Sequence, residues 1–285
     1  MSQTAEQNSM PLPGVKQVIA VASGKGGVGK STTAVNLALA LLAEGHATGL
    51  LDADIYGPSL PTMLGVPPGT RPEVVNENRF APIEAHGLQT LSMGNLTTDD
   101  TPVVWRGPMA SGALQQMIAQ TLWHDLDYLI VDLPPGTGDI QLTLAQKVPL
   151  SGAVVVTTPQ DIALLDAVKG IEMFRKVDVP VLGIIENMAI HICSNCGQQE
   201  HIFGQDGGAS IAEKYDTVVL GSLPLDIRIR QDLDDGVPTL VKSPDDEIAQ
   251  LYRQAARNLV ASLEGREVVS AYPEISIEDV EEKEY

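Results

Sequence analysis

The sequence predicts an α/β fold whose core is a doubly wound, mostly parallel sheet. Short aliphatic and β-branched runs alternate along the chain with longer helical patterns, as in repeated strand–helix units. These runs contain few polar residues, which is typical of strands buried on both faces of a parallel sheet. Two of the runs end in acidic segments, and open α/β sheets bind their ligands at such strand ends.

The first predicted unit consists of the strand VKQVIAVAS, a glycine-rich turn and the helix STTAVNLALALLAEG. An apolar stripe with i, i+3, i+4, i+7 spacing runs along that helix through Ala34, Leu37, Ala38 and Leu41. We therefore expect the helix to pack on the sheet and to end at Gly45.

Five further runs have the same aliphatic character and are predicted as strands: ATGLLDAD, YLIVDLPPG, AVVVTTP, VPVLGIIENM and TVVLGSLP. Helical patterns over residues 162–177, 209–215 and 245–263 continue the alternation. The segment 65–87 is rich in Pro, Asn and Glu, so we expect an insertion or a long loop there.

The chain length of 285 residues fits one large α/β domain. We place this domain at residues 15–265, with the loop that carries both cysteines at 191–203. The polar residues 1–14 predict a disordered N-terminal tail, and residues 266–285 predict an acidic, solvated C-terminal tail.

Acidic side chains dominate the charge, since 18 Lys and Arg against 37 Asp and Glu give a net charge of −19. This sign repels phosphodiester backbones and anionic lipid headgroups, so we expect neither nucleic acid nor a membrane as a partner. The sequence has no apolar run of about 18 residues that would predict a transmembrane helix. It also begins without the basic and apolar regions of a secretory signal, so we expect a cytoplasmic protein.

The segment GKGGVGKST matches the P-loop pattern G-x-x-x-x-G-K-[ST] between a predicted strand and a predicted helix. Its glycines let backbone N–H groups turn towards phosphate oxygens, and the helix N-terminus adds a favourable partial charge. Lys30 would reach the β- and γ-phosphates of ATP, and Ser31 would offer a hydroxyl to Mg²⁺. The predicted nucleotide-binding residues of this loop are Gly24, Lys25, Gly26, Gly27, Val28, Gly29, Lys30, Ser31 and Thr32.

Acidic residues follow two predicted strands, in LLDADIYGPS and LIVDLPPGTGD. Asp132 stands where a P-loop enzyme has the carboxylate that holds Mg²⁺ and its waters. Asp54 could orient the attacking water. An aspartate at a strand end also commonly caps the next helix or turn, and this alternative stays open for both residues.

The only two cysteines, Cys193 and Cys196, form a C-x-x-C pair in the segment HICSNCGQQEHIFG. The pattern fits a zinc site completed by His191 and His201, because structural zinc takes four nitrogen or sulfur ligands. It fits equally well an iron–sulfur cluster that takes two of its four thiolates from each chain of a two-fold dimer. A redox pair would normally open a helix after a strand. Two buried inert thiols would be unusual in so polar a loop.

A second lysine, Lys25, stands beside the first P-loop glycine in GKGGVGKSTTAVNLALAL. This resembles the deviant Walker A motif of the dimerising ATPases of the MinD, ParA and nitrogenase iron protein class. With LDADIYGPSLPTMLG, DLPPGTGD, IENM, the C-x-x-C pair and GSLPLDIRIR, the chain is similar to the Mrp (ApbC) family of iron–sulfur cluster carriers. The similarity covers most of residues 15–260. It departs from the family at Ala189, where many members have serine.

The resemblance implies a P-loop NTPase fold of the MinD/ParA type and a role for several residues in ATP hydrolysis. Lys25 would cross to the nucleotide of the partner chain, Asn187 would hydrogen-bond adenine, and Pro224 would pack near the base. Lys30, Lys25 and Mg²⁺ would neutralise charge while Asp54 positions water. We expect slow hydrolysis, because a single weakly basic carboxylate positions the water.

The resemblance also implies that Cys193 and Cys196 bind a 4Fe–4S cluster that bridges the two subunits of a homodimer. The chain would then carry a labile cluster and transfer it to apo iron–sulfur proteins in an ATP-dependent way. Zinc could still occupy the site in material purified in air.

Two other functions stay open. A partitioning or positioning ATPase of the same fold needs a basic surface or a basic amphipathic C-terminal helix, whereas this sequence ends in EISIEDVEEKEY. A zinc-stabilised scaffold would bind ATP without turnover.

Overall fold

The computed structural model describes residues 12–55, 57–76, 78–96, 107–193, 195–266 and 268. Most of the two predicted tails, residues 1–11 and 269–285, lies outside these ranges. The disordered N-terminal tail and the acidic C-terminal tail therefore stay predictions.

Within the described residues the strands are β1 (Val15–Ala22), β2 (Thr48–Asp52), β3 (Val74–Val75), β4 (Arg79–Phe80), β5 (Ile83–Ala85), β6 (Leu88–Ser92), β7 (Leu126–Asp132), β8 (Gly152–Thr157), β9 (Val181–Ile192), β10 (Gln199–Glu200) and β11 (Val219–Leu225). The helices are α1 (Lys30–Ala43), α2 (Leu60–Met63), α3 (Gly107–Gln120), α4 (Asp139–Lys147), α5 (Asp161–Lys176), α6 (Gly207–Tyr215), α7 (Ile227–Asp234), α8 (Thr239–Lys242) and α9 (Glu247–Leu263), with a 3₁₀ turn at Met93–Asn95.

The main sheet has the strand order β10-β9-β8-β1-β7-β2-β6-β5, and β11 pairs with β9. The pairs β1–β7, β1–β8, β2–β7, β2–β6, β8–β9 and β9–β11 are all parallel. Antiparallel pairing occurs only at β5 and β10 among the strands that the structure assigns to this sheet. The predicted fold class, a mostly parallel doubly wound sheet, is confirmed.

Helices cover both faces of the sheet, and the strands alternate their side chains between two apolar cores. Ile19 and Val21 of β1 face the core that α1 and α9 close. Ala20 and Ala22 of the same strand face the core beneath α3, α4, α5 and α6. Strands buried on both faces explain why the sequence shows continuous aliphatic runs instead of polar alternation.

The sequence prediction was incomplete between β2 and β8. The segment 65–87, predicted as an insertion or long loop, contains the two-stranded ribbon β3–β4 and the edge strand β5. Strand β6 and helices α3 and α4 are also absent from the sequence prediction. For the strands the reason is their length, because two to five residues carry too few positions for a periodic pattern to be distinguished from a loop.

Helix α1 ends at Ala43, and Gly45 adopts a left-handed φ of 92° just beyond it, as the sequence indicates. Among the described residues, no helix combines the length and hydropathy that crossing a bilayer requires.

Candidate functional site

The glycine-rich loop joins the end of β1 to the start of α1. Two of its glycines are required by close packing. A Cβ at Gly24 would lie 2.0 Å from the carbonyl oxygen of Asp166 in α5, and a Cβ at Gly29 would lie 2.1 Å from Asn187 Nδ2. Gly29 also has a left-handed φ of 84°. The loop is therefore held between α5 on one side and β9 on the other.

This loop lines a cavity of about 220 Å³, which we call the phosphate cavity. Lys30 and Asp54 both line it, together with Ser31 and Thr32 at the start of α1. Lys25, on the loop beside Gly24, is half-buried. The cavity thus combines backbone N–H groups, a helix N-terminus and a lysine, which together suit a polyphosphate.

Lys30, which lines the phosphate cavity, forms an ion pair with Asp132. Lys30 Nζ lies 2.6 Å from Asp132 Oδ1 and 3.2 Å from Ser31 Oγ. The Asp132 side chain is fully buried, and burial raises its pKa while Lys30 opposes that rise. Its other oxygen, Oδ2, is buried without a hydrogen-bond partner. A carboxylate with an open oxygen beside a serine hydroxyl is a donor set that fits Mg²⁺.

Asp54 is half-buried on the loop between β2 and α2, and its Oδ1 accepts the Gly57 N–H at 3.3 Å. Its position on the wall of the phosphate cavity is compatible with orienting water. That role stays a prediction.

Asp52 is a further residue of this site that the sequence pattern did not identify. This side chain is fully buried, and its neighbour in strand register is Asp132. Its carboxylate accepts the N–H groups of Asp54 and Ser59 at 3.0 and 3.1 Å, and the hydroxyl of Ser92 at 2.9 Å. Asp52 therefore fixes the loop that carries Asp54. The signal was present in LLDAD, where the first aspartate still belongs to the strand.

Burial, followed by the charge of Asp132, raises the pKa of Asp52 to about 7. The folded chain therefore binds a proton between pH 4 and 7 that the unfolded chain does not bind. The contribution of Asp52 to the free energy of unfolding is therefore largest near pH 4. It decreases as the pH rises to 7, by up to about 1.4 kcal/mol per pH unit. The free energy of unfolding of Asp52→Asn, measured by urea denaturation, should accordingly increase relative to that of the wild type from pH 5 to pH 8.

The control for this experiment is Asp127→Asn. A hydrogen bond from Lys16 lowers the pKa of Asp127, so Asp127 stays ionised in both states throughout this range. The stability difference between the control and the wild type should be the same at pH 5 and pH 8. A difference for Asp52→Asn that is equally constant would contradict the raised pKa.

A second cavity of about 330 Å³ adjoins the first, because Gly29, Thr32 and Met63 line both. We call it the base cavity. Asn187 and Pro224, the two residues assigned to the adenine by family resemblance, both lie in its wall. The Asn187 side chain is buried, and its Nδ2 donates to the Val28 carbonyl at 2.9 Å.

The two cysteines lie at the tip of a hairpin formed by β9 and β10. Cys193 N–H donates to the Gln198 carbonyl at 2.9 Å, and Gly197 N–H donates to the Cys193 carbonyl at 2.8 Å. The Cys193 sulfur accepts the backbone N–H groups of Asn195 and Cys196, which lower the pKa of this thiol. Cys196 is exposed. The turn thus stabilises a thiolate at the protein surface.

The structure does not bring together the four residues of the zinc alternative. His191 Nδ1 lies 3.2 Å from the Leu225 carbonyl oxygen, and His201 Nδ1 lies 3.0 Å from the Ala189 carbonyl oxygen. In the part of the chain that is described, no three His, Cys, Asp or Glu side chains are grouped to hold a metal ion.

The family model of ParA-type NUBPL iron-transfer P-loop NTPases matches residues 14–260. The chain is 62% identical over 245 residues to the iron–sulfur cluster carrier protein of Pseudomonas fragi, covering 86% of this chain and 85% of that protein.

Two solved structures are similar in fold. The nucleotide-binding protein of Archaeoglobus fulgidus, in complex with ADP, superposes with a TM-score of 0.72 at 34% identity, covering 85% of this chain and 93% of that one. The cell division ATPase MinD of Pyrococcus furiosus gives 0.65 at 21% identity, covering 86% and 98%. The second likeness concerns the fold alone.

Proposed function

The chain belongs to the family of NUBPL iron-transfer P-loop NTPases, and from this premise we propose that it is an ATP-dependent iron–sulfur cluster carrier. It would hold a labile cluster between two copies of itself and transfer it to apo iron–sulfur proteins. The observation that carries the proposal is the exposed hairpin with the chain's only two cysteines. We propose a cytoplasmic site of action without nucleic acid or membrane as partner, which the net charge of −19 supports.

The nucleotide would occupy the two adjoining cavities, with its phosphates on the glycine-rich loop and adenine beside Asn187 and Pro224. Ser31 and Asp132 would hold Mg²⁺, which supplies positive charge to the phosphates. Lys30 would exchange its contact with Asp132 for the β- and γ-phosphates, and Asp54 would position water. Lys25 would reach the partner's nucleotide. Hydrolysis would be slow because a single carboxylate positions the water.

The cluster would bridge two chains because a 4Fe–4S core needs four thiolates and each chain supplies Cys193 and Cys196. A two-fold axis places the same hairpin opposite itself. N–H groups of the turn point at the Cys193 sulfur and would stabilise its negative charge. The exposure of Cys196 would let an acceptor protein reach the cluster.

An exposed apolar patch on α5 supports the homodimer. Ile162 and Leu165, one helical turn apart, are 69% and 65% exposed. The same helix contacts the P-loop through Asp166 and Gly24, and Pro159 just before it lies next to Gly204 beyond the cysteine hairpin. The patch therefore lies on a helix that contacts the P-loop and that begins near the segment following the cysteine hairpin. We propose a second copy of this chain as its partner.

Replacing Leu165 by Asp should weaken the cluster-loaded dimer at least tenfold. The reason is that two copies of a charged side chain would enter an apolar contact, at a cost of about 1.5 kcal/mol or more. Analytical ultracentrifugation under anaerobic conditions measures the dimer dissociation constant. The matched control is Val74→Asp on the β3–β4 ribbon, where Val74 is 61% exposed. Equal dissociation constants for the two variants would count against this face.

Anaerobic reconstitution with iron and sulfide tests the proposed function as a whole. The expected result is about four irons per two chains, ATP turnover in the same preparation, and delivery of the cluster to an apo iron–sulfur protein. One tightly held zinc per chain without turnover would favour the scaffold alternative instead. Binding of DNA or vesicles stimulated by ATP would favour a partitioning or positioning ATPase.

A further inference from the structure

One strand connects the candidate nucleotide site to the cysteine pair. Strand β9 contributes Asn187 and Met188 to the base cavity and continues to Ile192, the residue before Cys193. At a rise of about 3.3 Å per residue, Met188 and Cys193 are separated by no more than roughly 17 Å. A displacement of β9 at the base cavity thus has a short path to the cysteines.

The strand is irregular where it lines the base cavity. Glu186 pairs with Ser222 and Ile190 pairs with Pro224, so three residues of β9 lie opposite one residue of β11. In this bulge Met188 has a φ of 58°, a left-handed backbone conformation that residues other than glycine rarely adopt. The hydrogen bond from Asn187 to the P-loop holds the bulge in place. Contact with a nucleotide would therefore act on the part of β9 that lacks regular pairing.

His191 provides a second link between the same two sites. Its Nδ1 lies 3.2 Å from the carbonyl oxygen of Leu225, and because a carbonyl only accepts, Nδ1 carries the proton. Leu225 lines the base cavity and is the register partner of His191. His191 is half-buried and lies two residues before Cys193. One wall of the base cavity is thereby bonded to the base of the cysteine hairpin.

From these contacts we propose that His191 is a positioning residue that couples nucleotide binding in the base cavity to cluster binding by the cysteine hairpin. The inference rests on the proposed function. A nucleotide base between Asn187 and Leu225 contacts both residues whose hydrogen bonds hold this part of β9, Asn187 to the P-loop and Leu225 to His191. His191 then transmits a displacement of Leu225 to the hairpin. Coupling of this kind is reciprocal, so a bound cluster must change the affinity for nucleotide by the same factor.

The test is the dissociation constant of Mg-ADP, measured anaerobically by calorimetry on cluster-loaded and cluster-free protein. In the wild type the two values should differ at least about fivefold. In His191→Ala the ratio should fall to less than about half of its wild-type value, because the link to Leu225 is lost and only the path along β9 remains. In His191→Asn the ratio should be restored, since the asparagine amide donates a hydrogen bond from nearly the position of Nδ1.

The matched control is His201→Ala, which removes the other imidazole of the hairpin region. Its Nδ1 also contacts a backbone carbonyl, that of Ala189, but His201 does not line the base cavity. This variant should keep the wild-type ratio. An equal loss of the ratio in His201→Ala would overturn the inference, because general loosening of the hairpin would then explain the effect.

Four other outcomes would also overturn it. A wild-type ratio in His191→Ala would show that the hydrogen bond carries no coupling. Complete loss of the cluster from His191→Ala would make His191 a ligand and not a positioning residue. A ratio of one in wild-type protein that holds a cluster and hydrolyses ATP would remove this inference and leave the proposed function intact. Wild-type protein that holds no cluster would remove both.

Discussion

Replacing Lys30 by alanine is expected to lower the rate of ATP hydrolysis at least about 100-fold, the usual effect of removing one group that stabilises transition-state charge. Lys30 is the buried cation of the phosphate cavity and the residue placed to meet the β- and γ-phosphates. Phosphoryl transfer builds negative charge on those oxygens, and a cation already held in a buried site stabilises it strongly. Steady-state phosphate release under saturating Mg-ATP measures the effect.

The structure adds a cost that the P-loop motif alone does not indicate. Lys30 is the ion-pair partner of the fully buried Asp132, so the alanine variant leaves a buried carboxylate without its counter-charge. Loss of one partner of a buried pair typically costs about 3–5 kcal/mol. Lys30→Gln, which retains a hydrogen-bond donor towards Asp132, should be the more stable variant and equally inactive. Thermal denaturation of both variants separates lost catalysis from lost folding.

Lys25→Ala is the comparison for Lys30→Ala in ATP binding, because both lysines belong to the same loop and Lys25 is only half-buried. It should retain ATP binding in the isolated chain and lose hydrolysis, if Lys25 acts on the partner's nucleotide. Wild-type turnover in Lys30→Gln would contradict the assignment of the site. Equal loss of ATP binding in the Lys25 and Lys30 variants would contradict a role for Lys25 across the dimer.

The sequence predicts a nucleotide site most directly where the chemistry is local. The loop at 24–32 is contiguous, so its glycines, lysine and hydroxyl could be recognised together without knowledge of the fold. Asn187 is different, because it reaches Val28 across 159 residues of sequence. Only the family resemblance brought Asn187 into the site, since a lone asparagine after a strand is usually a turn residue.

Asp52 and Asp54 show what a local pattern cannot decide. Both belong to LLDADIYGPS, and the sequence analysis assigned the chemistry to Asp54. The register of β2 on β7 determines that Asp52 lies beside Asp132 and is buried, while Asp54 lies beyond the strand end. Register depends on pairing between strands 80 residues apart, and this information is absent from either segment alone.

The two histidines near the cysteines illustrate a limit of composition. A histidine close to a C-x-x-C pair is equally compatible with metal ligation and with a hydrogen bond to the backbone. In the structure, the carbonyls that accept from His191 and His201 belong to Leu225 and Ala189. Leu225 is 34 residues from His191, so only the pairing of β9 with β11 reveals the contact.

Replacing either cysteine by alanine should abolish cluster binding, reducing the iron content from about four per two chains to below about a tenth of that value. One lost thiolate per chain leaves the bridging site with two ligands of four. Iron and sulfide counts after anaerobic reconstitution, together with the absorbance of the cluster, measure the loss. The matched control is Asn195→Ala in the same turn, because it keeps both thiols and the backbone N–H that contacts the Cys193 sulfur.

Hydrolysis of ATP in the absence of cluster should stay within about twofold of the wild-type rate in Cys193→Ala and Cys196→Ala. The reason is that neither cysteine lines the phosphate cavity or the base cavity. Cys196 is exposed, and Cys193 contacts only its own turn among the described hydrogen bonds, so their loss leaves the P-loop unchanged. A full cluster in Cys196→Ala would show that the cluster does not need two thiolates from each chain. Bound zinc that requires His191 and His201 as well as both cysteines would show that the hairpin rearranges around a structural metal. The dimer proposed to form through Leu165 would then have no cluster to bridge.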